Sequence, residues 1–392
     1  MPRWRSGRVV AYAALQECIP YFPVYAVLFA DTGLSTSEIS TLFVIWSVTT
    51  LALEVPSGAW ADVVSRRVLL VLAAGLYGGC FALWTLVPSY PAFAGGFVLW
   101  GLSSAITSGA YEAYVFDHLA ARDELARYPG VIARGQSGGL VLNLAATVSA
   151  APLIELGGFR AVGWASVAVC AALTLLALSL APDAAPAIAP AEPSAGYLVV
   201  LRTGVSSSLG VPALRRAVLV AALLPGFLAF DEYFPLLAVE LGARSSVIPV
   251  LIAITVAAQA LGAAMASRVS QGALAPSVAG AGVAIAVGAL AGESYGFVGI
   301  AVGYGLLQMA IVVAQIRLQH AITTSARATV TSVAGLLSEL GAVVVYGAFA
   351  FGSQAAALSV LVAALAAMLT ASAVLVHHWR GQPLGFATIR DL

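Results

Sequence analysis

Long apolar stretches recur along this chain, and short polar or charged turns separate them. A helix needs about 20 apolar residues to cross the ~30 Å hydrocarbon core of a bilayer, and the stretches have that length. Helices are expected because lipid offers no hydrogen-bond partner to an exposed backbone. We therefore predict an all-α integral membrane protein with twelve transmembrane spans, numbered 1 to 12, over residues 9–30, 38–61, 68–87, 92–119, 130–156, 160–181, 213–240, 246–267, 273–292, 295–319, 327–350 and 354–377.

One polar interruption, near the middle of the chain, is longer than the others. Residues 182–212 begin with prolines spaced among alanines, a composition typical of a linker. This segment divides the chain into an N-terminal six-helix bundle over 1–181 and a C-terminal six-helix bundle over 213–392. The tripeptide Tyr-Phe-Pro occurs in the first span of each half, at 21–23 and 233–235, as expected for two pseudo-symmetric halves.

The charged residues are few and unevenly placed. Only 9% of the 392 residues are charged and 61% are hydrophobic, whereas soluble proteins average roughly 25% charged residues. If both termini lie inside, sixteen of the eighteen arginines are on the inner side and only Arg160 and Arg244 are outside, which agrees with the positive-inside rule. We predict a multi-pass protein of the plasma (inner) membrane with both termini cytoplasmic. The zero net charge gives no reason to expect nucleic-acid binding.

The loop between spans 2 and 3 carries the most specific motif, Gly-Ala-Trp-Ala-Asp-Val-Val-Ser-Arg-Arg at 58–67. It resembles the loop signature of the major facilitator superfamily, G-x-L-A-D-R-x-G-R-K, with departures at Trp60, Val63 and Ser65. Residues 157–160 and 327–329 also resemble stretches of that superfamily. The resemblance implies two six-helix halves and secondary transport. It further implies a gating network on the inner side, which we assign to Gly58, Asp62, Arg66, Arg67 and Asp117.

Two other motifs of the superfamily are altered. Residues 97–101 of span 4 lack the intramembrane arginine of proton-driven members, and the antiporter signature of span 5 is reduced to Ala151-Pro152. These departures are compatible with an alternative function, in which the chain does not transport and acts as a receptor or a lipid-flipping protein.

Carboxylates inside apolar spans are candidates for function, because an ionisable group at mid-membrane costs about 2.5–3.5 kcal/mol on insertion scales. Glu17 lies near the middle of span 1, and Tyr21 and Tyr25 follow at i+4 and i+8, on one face if the helix is continuous. Pro20 and Pro23 permit a bend there. An acid beside aromatic rings suits a cationic or amphipathic organic ligand.

The other candidates lie in spans 4, 7 and 10, which together with span 1 line the central cavity in the superfamily that the chain resembles. Glu112 is in span 4, Asp231 and Glu232 are adjacent in span 7, and Gln308 is in span 10. Adjacent helical residues point about 100° apart, so we expect one of the span 7 acids to face the cavity and the other to face a helix interface or the outer gate, without assigning which is which.

Several kinds of chemistry find no support in the sequence. Cys18, Cys80 and Cys170 lie far apart, without metal-ligand spacing, so we predict no metal site. The phosphate loop of ATPases requires lysine, and all basic residues here are arginine. We predict that the chain is not an enzyme and needs no cofactor, with a proton gradient as its energy source.

These observations predict a secondary active transporter that moves a small organic solute by alternating access. Proton-coupled efflux of a lipophilic or cationic compound is favoured, because no basic residue lies at cavity depth to hold an anion. The alternatives are an uptake permease of the same superfamily and a related receptor or lipid-flipping protein that does not transport. The expected partners are a small-molecule substrate and membrane lipids, and the expected oligomeric state is a monomer.

Overall fold

The computed structural model describes residues 6–184, 212–269, 271–322 and 327–378, and every regular element in these ranges is helical. Eight of the twelve predicted spans are single helices. They are Thr36–Val63 (span 2), Arg66–Leu86 (span 3), Tyr90–Ala120 (span 4), Ile248–Met265 (span 8), Leu274–Ala289 (span 9), Phe297–Ala321 (span 10), Arg327–Gly352 (span 11) and Leu358–His378 (span 12).

The remaining spans are interrupted or joined. Span 1 consists of Ser6–Gln16 and Tyr25–Asp31, and span 7 consists of Pro212–Gly226, a 3₁₀ segment Phe227–Tyr233, and Phe234–Glu240. Spans 5 and 6 form one assigned helix, Tyr128–Leu178, which has non-helical backbone at Gly157 and Gly158. Gly158 has a φ of 62°, a left-handed conformation that glycine adopts without a Cβ penalty, so the chain reverses there.

Nine helical stretches in the described residues are long and apolar enough to cross a membrane. One of them, Leu125–Leu178, has 54 residues and crosses twice because of the break at Gly157–Gly158. The shorter Leu274–Ala289 and the interrupted span 1 complete the count. The prediction of twelve spans is therefore confirmed.

The two ends of the bundle differ in charge. At one end, which we call the arginine face, Arg8 and Arg67 donate to the carbonyls of Ser179 and Leu178. This contact joins the beginnings of spans 1 and 3 to the end of span 6. At the opposite face, the Glu240 carboxylate at the end of span 7 accepts from the backbone N–H groups of Leu358 and Ser359, at 2.8 and 3.0 Å.

Helix contacts divide the bundle into two groups. Spans 1 to 6 pack mainly on one another and spans 7 to 12 do the same. The two groups meet where span 2 packs on span 11, where span 5 approaches span 8, and where the last turns of spans 1 and 7 touch. The predicted linker, 182–212, lies outside the described residues except for 182–184 and Pro212, so the domain boundaries stay a prediction.

Candidate functional site

A cavity of about 720 Å³ lies between the two groups of spans. Spans 1, 2, 4 and 5 line it on one side and spans 7 and 8 on the other. Four of the predicted acids line it together, namely Glu17, Glu112, Asp231 and Glu232. Tyr25 also lines it, whereas Tyr21 and Gln308 do not belong to the described lining.

Glu17 owes its position to the interruption of span 1. Pro20 and Pro23 lack the N–H groups that a continuous helix would use, and the helix stops at Gln16. Glu17 follows directly, with its Cγ against Gly139 of span 5, so that a Cβ at Gly139 would lie only 2.9 Å from it. The glycine therefore allows the acid to enter the space between the spans.

Tyr21 is directed away from the cavity by the same interruption. Its backbone N–H is satisfied by Ser166 Oγ of span 6 at 3.1 Å, and its hydroxyl lies 3.2 Å from Thr85 Oγ1 of span 3. Its ring packs beside Phe81 and Trp84. The spacing rule that put Glu17 and Tyr21 on one face applies to a continuous helix, and this segment is not helical.

The acids of span 7 lie in the 3₁₀ segment Phe227–Tyr233. The hydroxyl of Tyr304 in span 10 donates to the Leu228 carbonyl at 2.6 Å, which holds this segment against span 10. The expectation that only one acid faces the cavity differs from the structure, because both Asp231 and Glu232 belong to the lining. The α-helical span 7 is interrupted at these acids, so the cavity can contact both of these neighbouring residues.

Hydrogen bonds between the two groups of spans close the cavity toward the opposite face. The Tyr25 hydroxyl of span 1 donates to Glu232 of span 7. The Tyr233 hydroxyl, also from span 7, donates to Ser40 Oγ of span 2 at 2.8 Å. Both contacts cross the interface.

Aromatic rings fill the space around these hydrogen bonds. Phe43 of span 2 meets Tyr233 edge to face with ring centres 5.5 Å apart, and it lies 5.4 Å from the ring of Tyr346 in span 11. Tyr233 also stacks on Phe349 of span 11. Phe43, Tyr233 and Phe349 are fully buried, so this level of the interface is closed.

Aromatic side chains that were not candidates from the sequence form part of the cavity wall. Phe22 and Trp100 stack at 5.5 Å, and Trp46 lies 5.0 Å from Trp100. The buried Trp46 Nε1 has no hydrogen-bond partner among the described residues. No sequence signal marks these rings, because whether a tryptophan faces a cavity or another helix depends on the rotation of its own helix.

The charges of the lining have one sign. Among its described residues there are four acids and no arginine or histidine. Carboxylates and aromatic faces both attract cations, and charge pairs are strengthened where water is excluded. The cavity is therefore suited to a cationic or amphipathic ligand and unsuited to an anion.

The predicted gating network on the arginine face is described in part. Arg66 forms an ion pair with Asp117 and donates to the Ala113 carbonyl at 3.3 Å, which ties the start of span 3 to span 4. Arg67 donates to Leu178. Gly58 and Asp62 lie in the helix of span 2, but the surroundings of both residues are outside the described structure.

Asp183 is a further member of this network that sequence reasoning assigned to the linker. Its carboxylate accepts from the backbone N–H groups of Arg66 and Arg67 at 2.8 and 3.0 Å. An anion at a helix N-terminus is favoured by the helix dipole. The available signal was an acid directly after span 6, because span 6 ends at the face where span 3 begins.

Comparisons with known proteins agree on the fold. The sequence model of the Major Facilitator Superfamily matches residues 11–346, and no curated protein matches the chain in sequence. Among solved structures, the nucleoside transporter NupG is similar, with a TM-score of 0.73 at 12% identity over 96% of this chain and 99% of that one. An auto-inhibited POT family peptide transporter has a TM-score of 0.72 at 14% identity, covering 97% of both chains. A bacterial homolog of the human lysosomal transporter Spinster, solved in an inward-facing and unoccupied conformation, has a TM-score of 0.68 at 16% identity over 95% of this chain and 94% of that one.

Proposed function

This chain belongs to the major facilitator superfamily, and we propose that it exports a lipophilic organic cation in exchange for protons. Membership makes it a multi-pass membrane protein and a secondary transporter of a small molecule rather than an enzyme. That the substrate is a cation and that protons drive its export are proposals. Both are inferred from one observation, a central cavity with four acids and no basic residue in its described lining.

The acids supply a reason for exchange. A transporter must close its cavity on both sides during a cycle, and burying ionised carboxylates without partners costs several kcal/mol for each charge. Protons can neutralise them, and a cationic substrate can take the place of part of these protons. Because the two compete for the same oxygens, a cavity that releases one takes up the other, which is antiport.

The direction follows from the proposed orientation. We place the arginine face in the cytoplasm, as the positive-inside rule favours, in the plasma membrane. The cavity is closed toward the opposite face by the Tyr25–Glu232 and Tyr233–Ser40 contacts, which supports a cytoplasm-facing state ready to load substrate. Protons entering from an acidic exterior then displace the cation outward.

Transport in proteoliposomes tests this function. The protein is reconstituted with the membrane potential clamped to zero by equal potassium concentrations and valinomycin, and uptake of tetraphenylphosphonium is followed under pH gradients of either sign. We expect accumulation when the lumen is acidic and none when the gradient is reversed. The sign of the gradient identifies antiport whatever the orientation of the protein in the vesicle.

The controls separate the site from general damage. Glu17→Gln removes a cavity carboxylate and should abolish gradient-driven accumulation, whereas Glu155→Gln, at an exposed position outside the described lining, should retain it. Accumulation only with an acidic exterior would indicate a symporter and contradict the proposed exchange. No accumulation in either gradient would reject the cation as substrate.

A further inference from the structure

The four acids of the cavity form two pairs, one in each half. Glu17 and Glu112 belong to spans 1 and 4, and Asp231 and Glu232 belong to span 7. We call these the N pair and the C pair. Each half therefore brings its own pair of negative charges to the same cavity.

The pairs lie at different depths. Glu112 stands eight residues before Ala120, where span 4 ends at the arginine face, a distance of about 12 Å along a helix. Glu232 stands eight residues before Glu240, where span 7 ends at the opposite face, again about 12 Å at the helical rise. Span 4 alone has 31 residues and is about 46 Å long, so the two pairs are separated along the bundle axis by on the order of 20 Å.

Aromatic rings lie at a depth between the pairs. Trp46 and Trp100 each stand ten residues after the start of their helices, Thr36 and Tyr90, at the opposite face, about 15 Å along a helix, which is between the depths of the C pair and the N pair. Phe22, Trp46 and Trp100 line the cavity and stack or tilt against one another at ring distances of 5.0 and 5.5 Å. An apolar chain lying between the pairs would pack on these rings, and cationic groups near them would gain further attraction from the π faces.

A ligand with one positive charge cannot satisfy both pairs. If it binds at the C pair, the N pair has no cationic partner when the cavity closes. If it binds at the N pair, the C pair has none. An unpaired buried charge is strongly destabilising. A ligand with a positive group at each end would place one positive charge at each pair. One proton held by each pair would neutralise the remaining carboxylate. The ligand would also contact both halves at once, which favours closure around it.

We propose that the substrate is an elongated dication, with two ammonium or quaternary ammonium groups joined by an apolar spacer. This inference rests on the proposed function and names the substrate class of the same cavity. The N pair would bind one cationic end and the C pair the other, with the spacer along Phe22, Trp46 and Trp100.

Binding to the purified protein tests the proposal without requiring transport. The probes are alkanes that carry a trimethylammonium group at both ends, with spacers of increasing length, and matched alkanes that carry one such group. Quenching of tryptophan fluorescence reports occupancy because Trp46 and Trp100 line the cavity. We expect the best dication to bind at least about tenfold more tightly than its monovalent counterpart, the gain of one further ion pair worth about 1.4 kcal/mol, with an optimum at long spacers.

Substitutions show whether the two pairs act at separate ends. Glu112→Gln should weaken binding of the dication more than binding of its monovalent counterpart, because one carboxylate of the N pair is lost, and Glu232→Gln should do the same at the C pair. Asp31→Asn and Glu155→Gln, exposed acids outside the described lining, should keep the advantage of the dication. Equal affinity for monovalent and divalent probes at every spacer length would overturn the dication. It would leave the proposed function intact if tetraphenylphosphonium accumulates in the vesicles, whereas a failure of accumulation in both gradients rejects that function independently.

Discussion

Two tyrosine hydroxyls join the halves of this protein at the level of the C pair. Tyr25 donates to Glu232, and Tyr233 donates to Ser40. Both bonds can exist only while the opposite face is closed, because their partners lie on different halves. Glu232 therefore belongs to the cavity lining and to the closing contact at the same time. A cation or a proton that binds its carboxylate therefore changes the stability of the closed state.

We predict that Tyr25→Phe shifts the protein toward the state that is open at the opposite face. The substitution removes one hydrogen bond worth about 1 kcal/mol, which corresponds to a roughly fivefold change in the population ratio. Spin labels at Asp31→Cys and Ser245→Cys, both exposed at that face, report the separation of the halves by pulsed electron resonance, in a Cys18→Ala background.

Tyr295→Phe is the matched control for this measurement. Its side chain is exposed, and among the described residues its hydroxyl bonds within its own segment, to the Ala291 carbonyl, so the substitution should leave the distance distribution unchanged. An identical distribution in Tyr25→Phe and the unsubstituted protein would show that the hydroxyl does not stabilise the closed face.

At the scale of the element, hydropathy predicted the spans but not their interruptions. Twenty-residue apolar windows fix where a helix crosses, and the prolines of span 1 permitted a bend. The break from Glu17 to Val24 is longer than a bend, since Ser166 and Thr85 from other spans hold Tyr21 outside the helix. Those partners are distant in sequence, so no local pattern predicted that Tyr21 leaves the face of Glu17.

Spans 8 and 10 cross at a pair of glycines, and we predict that Gly262→Ala destabilises the protein. An added Cβ at Gly262 would collide with the backbone of Gly305, which cannot rotate away as a side chain can. Overpacking of this kind costs about 1–3 kcal/mol. The readout is the midpoint of thermal unfolding in detergent.

Gly75→Ala in span 3 provides the comparison. A Cβ at that position has nothing within 4 Å, so the substitution should leave the midpoint unchanged or raise it slightly, since alanine is the better helix former. A midpoint for Gly262→Ala equal to that of Gly75→Ala would mean that the two spans separate easily at this crossing.

At the scale of the whole molecule, composition and the arginine distribution predicted the twelve-span architecture, because both depend on properties summed over long stretches. The candidate acids were predictable for a similar reason, since a carboxylate in an apolar span stands out. The aromatic wall and the exclusion of Tyr21 were not predictable, because they depend on the rotation of each helix within the bundle. The separation of the acids into two pairs at different depths depends on how the two halves pack against each other, which no local pattern records.

Competition between a cation and protons for the cavity carboxylates is the property from which exchange follows. It is measured most directly by adding tetraphenylphosphonium to purified protein in weakly buffered detergent solution near neutral pH, with a soluble pH indicator. We expect proton release that saturates together with tryptophan quenching. The release should be diminished in Glu17→Gln and in Glu232→Gln and retained in Glu155→Gln. Saturable binding without any proton release would contradict the proposed exchange.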